Sequence, residues 1–186
     1  MTEFLDGTPL KCVGLDREFT DTLQHVRRKD LPPKKRQRAA VLQLSVAYET
    51  LVFQICYANA VPDLFRQFLS DKEIMFSGAT ICNDDRMLKY YGLSIATMLD
   101  LQKAIPNPTL NNPPGLYNLA NYYIGANPNK NCLKVKKYNL GGWEQYPLKL
   151  KRVKYATLDA RLGFEITRRC QQLVGYNTNV DPLNVD

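Results

Sequence analysis

Three short apolar runs, KCVGLDREF, AAVLQLSVA and TLVFQICYA, open the chain before any helical pattern begins. Only Tyr48 and Glu49 separate the second run from the third, which predicts a hairpin. The charged, proline-broken stretch TDTLQHVRRKDLPPKKRQR between the first two runs reads as a loop. From Pro62 the pattern alternates. VPDLFRQFLSD is a helix with Leu64, Phe65, Phe68 and Leu69 on one face, IMFSGATI a fourth strand, and NDDRMLKYYG a helix closed by Gly92. IATMLDLQKAI is a fifth strand running into a turn, and NPTLNNPPG is a loop. LYNLANYYIG is a helix with Leu116, Leu119, Ala120 and Tyr123 on one stripe. Residues 126–146 carry no clear period. A long helix in two pieces is expected from Pro147 to Leu173, and a tail over 176–186. Three strands followed by alternating helices and strands predict an α/β fold, a mixed sheet with helices packed on it. No GxGxxG or GxxxxGK[ST] loop follows the first strand, so a doubly wound nucleotide-binding fold fits poorly.

At 186 residues and 45% apolar content the chain fits one domain over 1–186, its core spanning about 10–173. No apolar run reaches the roughly 20 residues that a membrane span needs. MTEFLDGTPLK has neither the basic start nor the apolar stretch of a secretory signal, so an intracellular protein, nuclear or cytoplasmic, is expected. The five cysteines form no CxxC pair, and one histidine, His25, cannot complete a zinc cluster. Reduced thiols follow.

Four acids stand at the edges of elements that otherwise read as buried. Asp16 and Glu18, two apart on the first strand, share one face, with Arg17 pointing the other way. Adjacent carboxylates repel, and a cation reverses that penalty. Oxygen-only ligands favour magnesium or manganese over zinc. Asp84 opens the helix after the fourth strand, a position where plain capping would also place an acid. Tyr155 and Asp159 are four apart, on one face of the last helix. Each piece alone is common on protein surfaces.

The ordered set is less common. DxE on the first strand, Asp after the fourth strand and YxxxD on the last helix resemble the DEDD 3′–5′ exonucleases, in the subclass with tyrosine at the fifth position. VGLDREF, AAVLQLSV, LFRQFLSD, IMFSGATICND, GLYNLANYYIG, Trp143 and VKYATLDARLGFEI fall in the order and spacing of the Werner-syndrome-type exonuclease domain, in its small plant-like single-domain form. The resemblance covers about residues 10–173 and implies an RNase H-like (DnaQ-like) fold, a five-stranded mixed sheet flanked by helices. It implies hydrolysis of phosphodiester bonds from the 3′ end of DNA or RNA with two divalent cations, Mg2+ or Mn2+. Asp16 would bridge both ions, Glu18 and Asp159 would complete the site that activates water, and Asp84 would hold the second ion. Tyr155 would orient or deprotonate the water. The sibling subclass has a histidine near the place of Tyr155, and the sole histidine here lies after the first strand. Two departures stand out: Met87 where a lysine often follows the second motif, and Arg17 where a small or neutral residue is usual.

The net charge of +7 is unevenly placed. Seven basic residues lie between Arg27 and Arg38 and eight between Lys130 and Lys154, leaving the remainder of the chain mildly acidic. Such asymmetry suits a polyanion, here a nucleic acid with a free 3′ end, single-stranded or 3′-recessed. Arg27, Arg28, Lys34, Lys35, Arg36, Arg38, Lys149, Lys151 and Arg152 are the expected backbone contacts, with Leu116 and Tyr117 gripping terminal bases. No membrane partner is expected, and the aromatic content would allow a homo-oligomer. The competing reading is a catalytically weak exonuclease-like scaffold that binds nucleic acid or protein.

Overall fold

The computed structural model describes residues 3, 5–21, 30, 37–110, 112–126 and 142–176. Its frame is a five-stranded mixed sheet in the order β3-β2-β1-β4-β5. The strands are β1 (Lys11–Asp21), β2 (Gln37–Val46), β3 (Glu49–Phe53), β4 (Ile74–Gly78) and β5 (Thr97–Asp100). The β1/β2 and β2/β3 pairs are antiparallel, and β4 and β5 add in parallel on the other side of β1. Tertiary pairing lengthens the first hairpin beyond its apolar run. The ladder continues to Asp21 opposite Gln37, so both ends of the expected loop are strand. Its residues 22–29 and 31–36 lie outside the described residues.

The helices are α1 (Asp63–Ser70), α2 (Ile81–Leu88), the short α3 (Leu101–Ala104), α4 (Leu116–Ile124) and α5 (Leu150–Cys170). Their ends follow the sequence signals: Gly92 and Gly125 take left-handed φ of 65° after α2 and α4. Two expectations need correction. The last helix is one uninterrupted run of 21 residues, because the small residues at its centre, Ala156, Ala160 and Gly163, form its packing face rather than a break. Leu64 is exposed (77%), whereas Leu69 of the same helix is fully buried. The helix leans on the sheet by its C-terminal end.

The two faces of β1 divide the molecule. Val13 and Leu15 join Leu42, Leu44, Leu69, Phe76, Ile81 and Leu88 in the main core beneath α1 and α2. The other face receives α5, whose remaining side packs Leu158, Leu162 and Ile166 against Leu119 and Ala120 of α4. Tyr176, placed by the sequence in the tail, is part of the core. Its ring meets Phe164 edge-on, and its hydroxyl accepts from Cys12 N–H at 2.6 Å and donates to Leu10 O at 2.8 Å. Cys12, Cys56, Cys82 and Cys170 are free thiols. No helix of the described residues is long and apolar enough to cross a membrane.

Candidate active site

The site begins with a close approach of backbone to backbone. Gly14 lies on the face of β1 that carries Asp16 and Glu18. A Cβ there would overlap the Ala160 carbonyl and stand 2.6 Å from Phe164 N. With glycine at this point α5 settles directly onto the strand, and Asp159, one residue before Ala160, comes down beside the two acids. Carboxylate oxygens of Asp16, Glu18 and Asp159 all lie within 4.8 Å of one another. Among the described residues no other group of three or more potential ligands is so close. The ladder is irregular at this level: Glu18 pairs with Val41 and Phe19 with Ala39, leaving Ala40 as an extra residue of β2. The bulge turns both Ala40 and Val41 into the cluster formed by Trp143, Ala156 and Tyr155.

Burial and mutual repulsion dominate the electrostatics. Burial, then the charges of Asp159, Asp84 and Glu18, hold the Asp16 carboxyl well above the usual carboxylate range. Glu18 is pushed up to about 8, first by burial and then by Asp159, with Arg17 acting in opposition. A group of acids that resists ionisation without a counter-charge, and that offers only oxygen donors, fits a hard divalent cation.

Asp84 stands apart from these three. It is almost fully buried (2% exposed) in the first turn of α2, and Arg17 Nε lies 2.9 Å from its Oδ1. Its Oδ2 is buried without a hydrogen-bond partner among the described residues. Burial raises its carboxyl to about 7, against the pull of Arg17. Arg17 therefore points away from Asp16 and Glu18, as the strand period requires, and pairs with the fourth acid, whose charge still acts on Asp16.

Two tyrosines converge on Asp159. The phenols of Tyr155 and Tyr117 both lie beside it, and both are raised above the ordinary tyrosine range, by burial first and the Asp159 charge second. Trp143 buttresses Tyr155 with ring centroids 6.1 Å apart, and the Arg152 guanidinium lies 5.5 Å from the Trp143 ring. The loop that presents Trp143 is itself tied down. Thr20 Oγ1 donates to Glu144 Oε2 at 2.8 Å, Gln54 Nε2 donates to Gln145 O at 2.9 Å, and the Tyr57 hydroxyl donates to Glu144 O.

The expected nucleic-acid contacts fare unevenly. Arg27, Arg28, Lys34, Lys35 and Arg36 lie outside the described residues. Lys149 and Lys151 are exposed at the start of α5, within a turn or two of Tyr155, and Leu116 is half-buried at the start of α4. Arg38 is engaged by Tyr90, 5.5 Å from the ring centroid, and by the Tyr91 hydroxyl. Two of the expected contacts are buried. Arg152 is turned inward and 4% exposed, because Trp143 takes its guanidinium face. Tyr117 is 8% exposed, part of the cluster with Leu119 and Leu158, and its phenol lies beside Asp159. The sequence signal for Tyr117 was hidden: on α4 it reads as one more apolar residue beside the core stripe.

A curated Arabidopsis thaliana protein described as a 3′-5′ exonuclease is 25% identical over 171 residues, which are 90% of this chain and 55% of that one. The chain thus spans about half the length of that relative. Among solved structures, the catalytic core of RRP6 from Trypanosoma brucei matches with a TM-score of 0.68 and 18% identity, over 92% of this chain and 42% of that one. Escherichia coli RNase D, an exoribonuclease involved in structured RNA processing, matches with a TM-score of 0.63 and 17% identity, over 88% of this chain and 39% of that one. At such identities these structures establish the fold, the RNase H-like α/β arrangement. The model of the 3′-5′ exonuclease family matches residues 4–174, nearly the whole chain, and the chain belongs to that family.

Proposed function

We propose that this chain removes nucleotides from the 3′ end of a nucleic acid by metal-assisted hydrolysis, as a member of the tyrosine subclass near the Werner-syndrome-type domains. The observation that carries this reading is the meeting of Asp16, Glu18 and Asp159 within 4.8 Å, with the Tyr155 phenol beside Asp159. Asp16, Glu18 and Asp159 would hold one divalent ion, Mg2+ or Mn2+, and Asp16 with Asp84 a second. Bound there, such ions lower the pKa of a water and neutralise charge on the phosphate.

The protein groups then do the positioning. Tyr155, kept protonated by burial and by Asp159, orients the attacking water through its hydroxyl rather than by taking its proton. The water oxygen bonds to phosphorus as its proton passes to solvent, the bond from phosphorus to the 3′ oxygen breaks, that oxygen takes a proton from solvent, and the released nucleotide keeps its 5′ phosphate. Trp143 and Arg152 fix the tyrosine ring from behind. Lys149 and Lys151 meet the phosphate backbone as it approaches. RNA is the first polymer to try, since one of the similar solved proteins is an exoribonuclease.

The test is a time course on 5′-labelled oligonucleotides, single-stranded and 3′-recessed, in DNA and RNA versions, with Mg2+ or Mn2+. A ladder shortening from the 3′ end, lost in chelator and in Asp16→Ala, is expected. An untouched strand under every condition overturns the proposal. It would favour the competing reading, a catalytically weak binding scaffold, which draws on the fact that Arg17 already occupies one oxygen of Asp84.

A further inference from the structure

Arg17 sits between the two acids of the first strand in sequence but on the opposite face in space. It is 9% exposed, its guanidinium carbon lies 5.2 Å from the Phe19 ring centroid, and its Nε is 2.9 Å from Asp84 Oδ1. A guanidinium stays charged at every accessible pH, and one buried against an acid neutralises it permanently. Neither Asp16 nor Glu18 makes such an ion pair among the described residues. The acids are thus of two kinds. Asp16, Glu18 and Asp159 cluster and repel one another, while Asp84 has a guanidinium at 2.9 Å and keeps a single buried oxygen without a hydrogen-bond partner among the described residues.

We propose that Arg17 is a fixed counter-ion of Asp84 that weakens the second divalent ion relative to the first, so that the chain without substrate holds one ion, at Asp16, Glu18 and Asp159. The inference rests on the metal reading above. A second ion must enter beside a positive charge it cannot displace without leaving that charge buried and unpaired, which is costly. The first ion meets three acids that raise one another's carboxyls, and Arg17 acts on that group only through space, at Glu18, with no ion pair such as it makes to Asp84. Arg17 is in this sense a positioning residue that sets metal stoichiometry, and it touches no substrate.

The experiment is titration of the metal-stripped protein with Mn2+, followed by calorimetry and by the electron paramagnetic resonance signal of free manganese. Wild type should bind one ion at least about tenfold more tightly than any second, the scale on which one adjacent opposite charge alters a carboxylate equilibrium. Arg17→Leu should tighten the second ion by at least about tenfold, and Arg17→Lys should keep the one-ion pattern. If Arg17→Leu does not fold with Asp84 uncompensated, Arg17→Gln is the deciding variant: it keeps a hydrogen-bond donor without the charge and should also tighten the second ion. Two ions of similar affinity in wild type overturn the inference, as does an unchanged second affinity in the folded uncharged variant. A wild-type chain that binds no Mn2+ at all overturns the metal reading as well, so the two failures are distinguishable.

Discussion

Replacing Gly14 with Ala tests how the site is built, because the substitution adds one methyl group and touches no acid. The new Cβ would stand 2.6 Å from Phe164 N and 2.9 Å from Phe164 Cβ, and would overlap the Ala160 carbonyl. Ordinary contact starts near 3.4 Å, so strand and helix must separate by about 0.8 Å at Phe164 N and by more at Ala160. The obstructing atoms are mostly backbone, so no rotamer change relieves them. Over-packing a core costs about 1–3 kcal/mol, and this case belongs at the upper end. In a chain of this length that lowers the melting midpoint by roughly 6–12 °C. The displaced element carries Asp159 and Tyr155, and a misplacement of about 1 Å at reacting groups slows chemistry by roughly a hundredfold. Urea denaturation measures the first effect. Trimming of a 5′-labelled strand, assayed well below the melting midpoint, measures the second, and Mn2+ titration should show weaker binding at the three acids. A Gly14→Ala protein with wild-type midpoint, ion affinity and rate would refute the account of how α5 docks.

Three further outcomes follow from the charges. Asp159→Asn should slow trimming by roughly a thousandfold or more. The same change should raise the melting temperature of the metal-free protein, since it relieves the repulsion on Asp16 and Glu18 while leaving an acceptor beside both tyrosines. A metal-free variant less stable than wild type by thermal melt would contradict this. Tyr155→Phe should slow turnover by roughly ten- to a hundredfold with ion affinity and melting midpoint nearly unchanged, as single-turnover kinetics beside calorimetry would show. The pH dependence has a definite sign. Glu18 at about 8 and Asp84 at about 7 both lie above the ordinary carboxyl values of 4.5 and 3.8, so the folded state holds more protons than the unfolded one between those limits. Metal-free stability is therefore full below about pH 4 and falls as pH rises toward 8, by an amount on the order of a few kcal/mol. Saturating Mg2+ should flatten the slope, and urea midpoints that stay level or rise with pH would show that the acids are not held up as described.

What the sequence disclosed about this site is what periodicity can carry. Asp16 and Glu18 share a face because strand side chains alternate, and Tyr155 and Asp159 share one because a helix repeats near every fourth residue. The element order was equally legible, since each strand and helix is separated from the next by a turn residue or a change of period. Contacts between distant segments left no such mark. The strand period turns Arg17 away from its neighbours, but its meeting with Asp84 depends on where α2 docks. Tyr117 and Arg152 looked like groups for the substrate. In the fold both lie against protein groups, because α4 brings the Tyr117 phenol beside Asp159 and Trp143 covers the Arg152 guanidinium. Gly14 gave least sign of its role, as a small residue in a strand suggests only weakness. Yet nothing in the Asp16–Glu18 spacing or the Tyr155–Asp159 spacing brings the two pairs together. That falls to the backbone contact at Gly14, the point where two separately legible motifs become one site.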